Sequence, residues 1–155
     1  MHILVSACLL GTPCRYDGAS KPIPALAALE RQGHTLIPVC PEVMGGLPTP
    51  RSPAERQRDG SIVNQAGQDV TAQYEAGAQA ALQTCQAAGC RLAILKERSP
   101  SCGNREIYDG SFTRTLIPGS GVAAQLLSET GISVIGESQI PDYFPTLEES
   151  NYDTF

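Results

Sequence analysis

No apolar run in this 155-residue chain approaches the roughly 18 residues that cross a bilayer. The opening residues, MHILVSACLLG, lack the basic flank of a secretory signal. These absences predict a soluble, cytoplasmic protein with no membrane partner. Basic residues are also scarce: 11 Lys and Arg stand against 16 Asp and Glu, a formal net charge of -5. A general grip on nucleic acid draws its affinity from clustered Lys and Arg, so small molecules are the expected partners instead. The chain has no CxxC pair, no low-complexity segment and no internal repeat beyond three Asp-Gly turns, at Asp17, Asp59 and Asp109.

What is present fits one globular core. Hydrophobic residues make up 41% and charged residues 17%, and the length suits a single domain spanning residues 1–155. Residues 3–7, 35–39, 92–95 and 132–135 are short apolar runs bounded by turn-formers and read as buried parallel strands. Helices are predicted over about residues 24–32, ending at Gly33, and over about 70–88. The second carries Val70, Tyr74, Ala78, Ala81, Leu82 and Cys85 on one face, with Asp69 as N-cap and Gly89 as stop. A third, SGVAAQLLSETG, takes Ser120 as N-cap and Gly131 as stop. Strands alternating with helices give an α/β fold: a three-layer sandwich with a mainly parallel, Rossmann-like sheet and a site at the carboxyl ends of its strands.

Two long irregular stretches, residues 41–68 and 97–118, interrupt that alternation, and IYDGSFT is expected to form a small hairpin around Asp109-Gly110. Loops of this length in a compact domain are usually functional. The acidic tail after residue 136 is expected to pack Tyr143 and Phe144 locally.

Six cysteines form no disulfide framework in a reducing compartment, where each is a buried bystander, a ligand or a nucleophile. Cys85, on the apolar helix stripe, and Cys90, at the start of a strand, read as structural. Cys8, Cys40 and Cys102 each follow a predicted strand and can converge beyond the sheet, with Cys14 a reserve in the same loop as Cys8. Three convergent thiolates can hold an iron–sulfur cluster with one iron open, or a zinc ion. Pro100, Ser101 and Gly103 around Cys102 make poor core and good turn, and nearby Lys96, Arg98 and Arg105 are expected to favour its thiolate. Glu42 stands two residues after Cys40 at the same rim, where a solvated loop carboxylate is the plainer reading.

The blocks SACLLGTPCRYDG, PVCPEVMGGLPTPRSPAE and LKERSPSCG resemble the thiouracil desulfidase family, long known as domain of unknown function 523. The similarity covers essentially the whole chain. It implies a 4Fe-4S cluster held by Cys8, Cys40 and Cys102, supplied by iron–sulfur assembly machinery, whose fourth iron takes sulfur from a thiolated pyrimidine or its nucleotide. It further implies Glu42 as general base and Ser101 as a polar partner that orients substrate or water. Ser99, Asn104, Lys96, Arg98, Arg51 and Arg105 become candidates for the pyrimidine edge or a phosphate, although most would individually serve as surface charges.

Two other readings use the same residues. One is a non-catalytic iron–sulfur or zinc protein that carries sulfur or senses redox state. The other places a nucleophilic Cys102 in an anion-binding turn, SCGNR, but lacks a base because His2 and His34 fall away from the proposed rim.

Overall fold

The computed structural model describes residues 1–147. In chain order its elements are β1 (His2–Ser6), α1 (Pro24–Arg31), β2 (Thr35–Val39), α2 (Pro41–Met44), β3 (Ala54–Arg56), β4 (Ile62–Asn64), α3 (Thr71–Ala88), β5 (Leu92–Leu95), β6 (Glu106–Tyr108), β7 (Leu116–Pro118), α4 (Val122–Glu129), β8 (Ser133–Gly136) and α5 (Ile140–Tyr143). The four predicted strands pair in parallel in the order β2-β1-β5-β8. Among the described residues no helix is long and apolar enough to cross a membrane.

Alternation along the strands builds the layers. Ile3 and Val5 of β1, with Leu92 and Ile94 of β5, face α1 and meet Ala25, Leu26 and Leu29. Leu4, Ala93 and Leu95 point the other way, onto Ala81 and Cys85 of α3 and Ala124 and Leu127 of α4. Both faces of β1 and β5 are therefore dry, as a parallel sheet flanked by helices requires. Each fully buried Leu or Ile here contributes about 1.5–3 kcal/mol of transfer free energy. Pro38 sits in β2, an edge strand, where a missing N–H leaves no ladder bond unmade on the open side.

Helix starts depart from expectation in an informative way. The N-cap of α3 is Val70, not the predicted Asp69, whose carboxylate accepts the Thr71 N–H at 2.9 Å from one residue outside the cap position. At α4 the N-cap is Gly121, not Ser120. The Val122 and Ala124 N–H groups bond the carbonyls of Pro100 and Ser101, at 2.9 and 3.0 Å. The residues around Cys102 thus take the part of a capping side chain.

The long stretches are less irregular than predicted. Residues 41–68 contain α2 and the β3–β4 hairpin, and β6 pairs antiparallel with β7. Asp109-Gly110 opens the β6–β7 connection, but that connection runs over residues 109–115 and is not a two-residue turn. Side chains stiffen it through Asp109, Ser111, Thr113 and Thr115 in place of a short turn. Beyond β8, Phe144 packs on the α1 side of the core and stacks edge-on with His34 at 5.6 Å, and Tyr143 lies 5.2 Å from Phe144. The predicted local packing of these aromatics is present, whereas residues 148–155 of the acidic tail lie outside the described residues.

Candidate metal and substrate site

The strand order changes direction between β1 and β5, the place where an open parallel sheet leaves a crevice beyond its carboxyl ends. A cavity of about 600 Å³ opens there. β1 delivers Ser6 and then Cys8, in a 3-10 turn over Ala7–Leu10. β2 delivers Cys40 and Glu42, and the loop after β5 delivers Ser99 and Cys102. Cys14 also reaches the wall, so four of the six thiols line this one space.

Local sequence explains each placement. Pro41 opens α2 directly after Cys40, where a fixed φ and an absent N–H cost nothing. The short helix then sits hard against α3: a Cβ on Gly45 would lie 1.9 Å from the Gln73 carbonyl oxygen, and one on Gly77 would lie 1.8 Å from that of Pro41. Two glycines thereby let Glu42 be presented from a helix flush with its neighbour. In the third loop the Ser99 hydroxyl accepts the N–H groups of Ser101 and Cys102, both at 3.1 Å, and winds the turn that carries Cys102.

Glu42 is not a solvated loop carboxylate. Its side chain is 12% exposed and Arg51, 7% exposed, grips Oε2 through both Nε and Nη2. Arg51 also donates to the Cys14 carbonyl at 2.9 Å and to Pro48 and Thr49. Oε1 faces the Ser99 hydroxyl at 3.4 Å. Arg51 therefore acts as a brace for the carboxylate, a role its position in the sequence did not suggest.

Burial favours the protonated thiol at Cys8, Cys14 and Cys102. Burial, reinforced by the neighbouring Cys40, pushes Cys8 up to about 11 and Cys14 up to about 12. Cys40 donates to the Cys14 carbonyl at 3.7 Å. Burial also raises Cys102, with Glu42 adding to it and a hydrogen bond from Ser6 opposing it. The expected thiolate at Cys102 is overturned: desolvation outweighs basic neighbours, and Lys96 directs its ammonium to the Glu97 carbonyl and Glu137. A nucleophilic Cys102 loses its basis with it, and neither His2 nor His34 lines the cavity.

Other predicted residues separate. Lys96 and Arg98 line the cavity, but Asn104 and Arg105 do not. The Asn104 amide is committed to the Val134 carbonyl at 3.3 Å and Gln139 Oε1 at 2.9 Å. Ser101 is fully buried, does not line the cavity, and its hydroxyl has no partner among the described residues. Ser99, beside Glu42, occupies the place expected of Ser101. Arg15, Tyr16, Lys21, Glu55, Phe112 and Arg114 also reach the wall, and the sequence had not singled them out. Arg15 and Tyr16 were within sight, since they fall in the first of the three blocks.

Donor chemistry suits a cluster. Soft sulfur ligands select iron–sulfur groups, and metal loading displaces the thiol protons that burial retains. Among the described residues no three His, Cys, Asp or Glu side chains gather tightly enough to ring one metal ion. Cys8, Cys14, Cys40 and Cys102 line one cavity wall, a set of soft donors of the kind that holds iron–sulfur groups or zinc.

An α/β protein with thiols and a braced carboxylate at the switch point of its sheet belongs to the class that builds sites at strand ends. Residues 3–139 match the family described as 2-thiouracil desulfurase, and the chain belongs to that family. It is similar to the uncharacterized protein YbbK of Bacillus subtilis (strain 168), 40% identical over 149 residues, which covers 90% of this chain and 98% of that one. Among solved structures it is similar to the [4Fe-4S]-dependent thiouracil desulfidase TudS, with 50% identity, a TM-score of 0.87, and coverage of 94% of this chain and 97% of the other.

Proposed function

We propose that this protein is an iron–sulfur-dependent desulfidase that takes sulfur from 2- or 4-thiouracil, or from 4-thiouridine monophosphate. The products are uracil or UMP and sulfide, with no net oxidation or reduction. The meeting of Cys8, Cys40 and Cys102 with Glu42 at one cavity is the observation that supports this most. Family membership and the likeness to a solved [4Fe-4S]-dependent thiouracil desulfidase point the same way.

Cys8, Cys40 and Cys102 would hold a 4Fe-4S cluster and leave one iron open. When bound, the cluster would supply a Lewis acid with affinity for soft sulfur, able to polarise a C=S bond. Glu42 carries the proton. With Oε2 anchored by Arg51, Oε1 is the atom left to accept a proton from the water that adds to the thiocarbonyl carbon. The C–S bond breaks, the new C–O bond becomes the carbonyl, and the protons of the water leave with Glu42 and the sulfide. Ser99 orients the carboxylate, whereas Ser101, expected to orient substrate or water, does not line the cavity.

Charge shapes the substrate preference. Six of the 11 Lys and Arg residues line the cavity, against Glu42, Glu55 and Glu97. Arg15, Lys21, Arg98 and Arg114 make no ion pair or side-chain hydrogen bond among the described residues. Such a surplus favours an anionic substrate, and a nucleotide phosphate over a neutral base. The test is sulfide release by anaerobically prepared protein from 2-thiouracil, 4-thiouracil and 4-thiouridine monophosphate. Many turnovers per chain support the enzyme, and an intact cluster that releases at most one sulfide per chain supports a sulfur carrier or sensor instead.

A further inference from the structure

Three non-glycine residues among those described hold a positive φ: Arg98 at 68°, Phe112 at 59° and Arg114 at 60°. All three line the cavity. A side chain in that region is strained, and such strain persists only where the surroundings over-determine it. Two of the three lie in the connection between β6 and β7.

The surroundings that fix this loop belong to another hairpin. Oε1 of Glu55, on β3, accepts the N–H of Gly110 at 2.9 Å and of Phe112 at 3.2 Å. Gln57 adds a bond from Nε2 to the Gly110 carbonyl at 3.4 Å. Within the loop, hydroxyls run from Ser111 to Thr113 at 2.6 Å and from Thr113 to Thr115 at 2.8 Å. Phe112 is left half-buried on the cavity wall with its backbone held on both sides. It is one of only three Phe in the chain, and it has no polar atom that would make the wall its reason for being there.

We infer that Phe112 is a specificity-determining platform on which the pyrimidine ring of the substrate stacks, and that Glu55 is the positioning residue that holds this platform against the cavity. The inference rests on the desulfidase reading for its substrate. A planar, electron-poor heterocycle gains from an aromatic face, and a platform fixed before binding avoids the entropy of ordering it afterwards. Glu55 never meets the substrate in this scheme. It acts by accepting two backbone N–H groups that would otherwise release the loop.

The test compares wild type with Phe112→Ala, Phe112→Tyr, Glu55→Ala and Glu55→Gln, each loaded with cluster and assayed on 4-thiouracil. Phe112→Ala should raise KM roughly five- to hundredfold, the range for loss of one base–aromatic stack, with kcat within about threefold. Phe112→Tyr should restore KM. Glu55→Ala should raise KM in the same direction, and Glu55→Gln should recover it, since the amide oxygen can still accept both N–H groups. Without substrate, trypsin should cut after Arg114 faster in Glu55→Ala than in wild type or Glu55→Gln. An unchanged KM in Phe112→Ala overturns the platform. A wild-type trypsin rate in Glu55→Ala overturns the clamp. If wild type releases no sulfide from any thiolated pyrimidine, the desulfidase reading and the platform fall together, while the trypsin comparison still decides the clamp.

Discussion

Arg51 holds the carboxylate of Glu42 and the carbonyl of Cys14 with the same guanidinium. One side chain thus ties the proposed general base to a loop that carries two of the cavity's thiols. Arg51→Met should cost about 3 kcal/mol of stability, the low end for stranding one member of a buried pair, visible as a lower urea midpoint. Sulfide release should fall at least tenfold while iron content stays near normal. Wild-type turnover in this variant would mean that Glu42 needs no brace.

Glu42→Gln should keep the cluster and lose turnover. The amide retains the shape and a contact to Arg51 but cannot take a proton from water. Iron content and sulfide release measured on one preparation separate the two effects. Near-normal release would remove Glu42 from the proton transfer.

Gly121→Ala tests the bond between α4 and the Cys102 loop. A Cβ there would lie 2.4 Å from the Ser101 carbonyl carbon and 2.5 Å from its oxygen, so backbone must move. The expected cost is about 1–3 kcal/mol together with poorer cluster retention. A variant as stable and as iron-rich as wild type would show that the loop has slack.

Acid should weaken the packing at the cavity wall through Glu97. Burial raises its carboxyl, but hydrogen bonds from the Ser138 N–H and hydroxyl outweigh that and hold it below the ordinary value of 4.5, with Arg105 and Lys96 adding. A depressed folded value means stabilisation that is present above the ordinary value and is lost as pH falls through the folded one. Glu97→Gln should therefore be less stable than wild type at pH 7, and the gap between their urea midpoints should narrow below pH 4.5. A gap that is constant with pH would contradict this.

The sheet was legible because its strands are short apolar runs between turn-formers. Burial on both faces of β1 and β5 leaves few other solutions for those two, although the edge strands β2 and β8 are partly exposed rather than buried as expected. Cys8, Cys40 and Cys102 were legible as a set because each follows a strand, and strand ends converge in a parallel sheet. What could not be read is what side chains do to one another across the fold. Ser99 and Ser101 are equivalent in a linear reading of RSPSCG, and only the turn decides that the first faces Glu42 and the second is buried. The net charge of -5 concealed a basic cavity, because the acidic residues lie mostly elsewhere. Cys102 looked activated by its neighbours in sequence, yet burial, which sequence does not report, sets its protonation.

The three-cysteine ligand set is tested most directly by iron and acid-labile sulfide analysis, with sulfide release from 4-thiouracil and 4-thiouridine monophosphate, on anaerobic wild type beside Cys8→Ser, Cys40→Ser, Cys102→Ser and Cys85→Ser. Wild type and Cys85→Ser should hold equal iron and sulfide and complete many turnovers, and the other three should lose both cluster and activity. Full iron and full turnover in any of those three would contradict the ligand set on which the proposed chemistry stands.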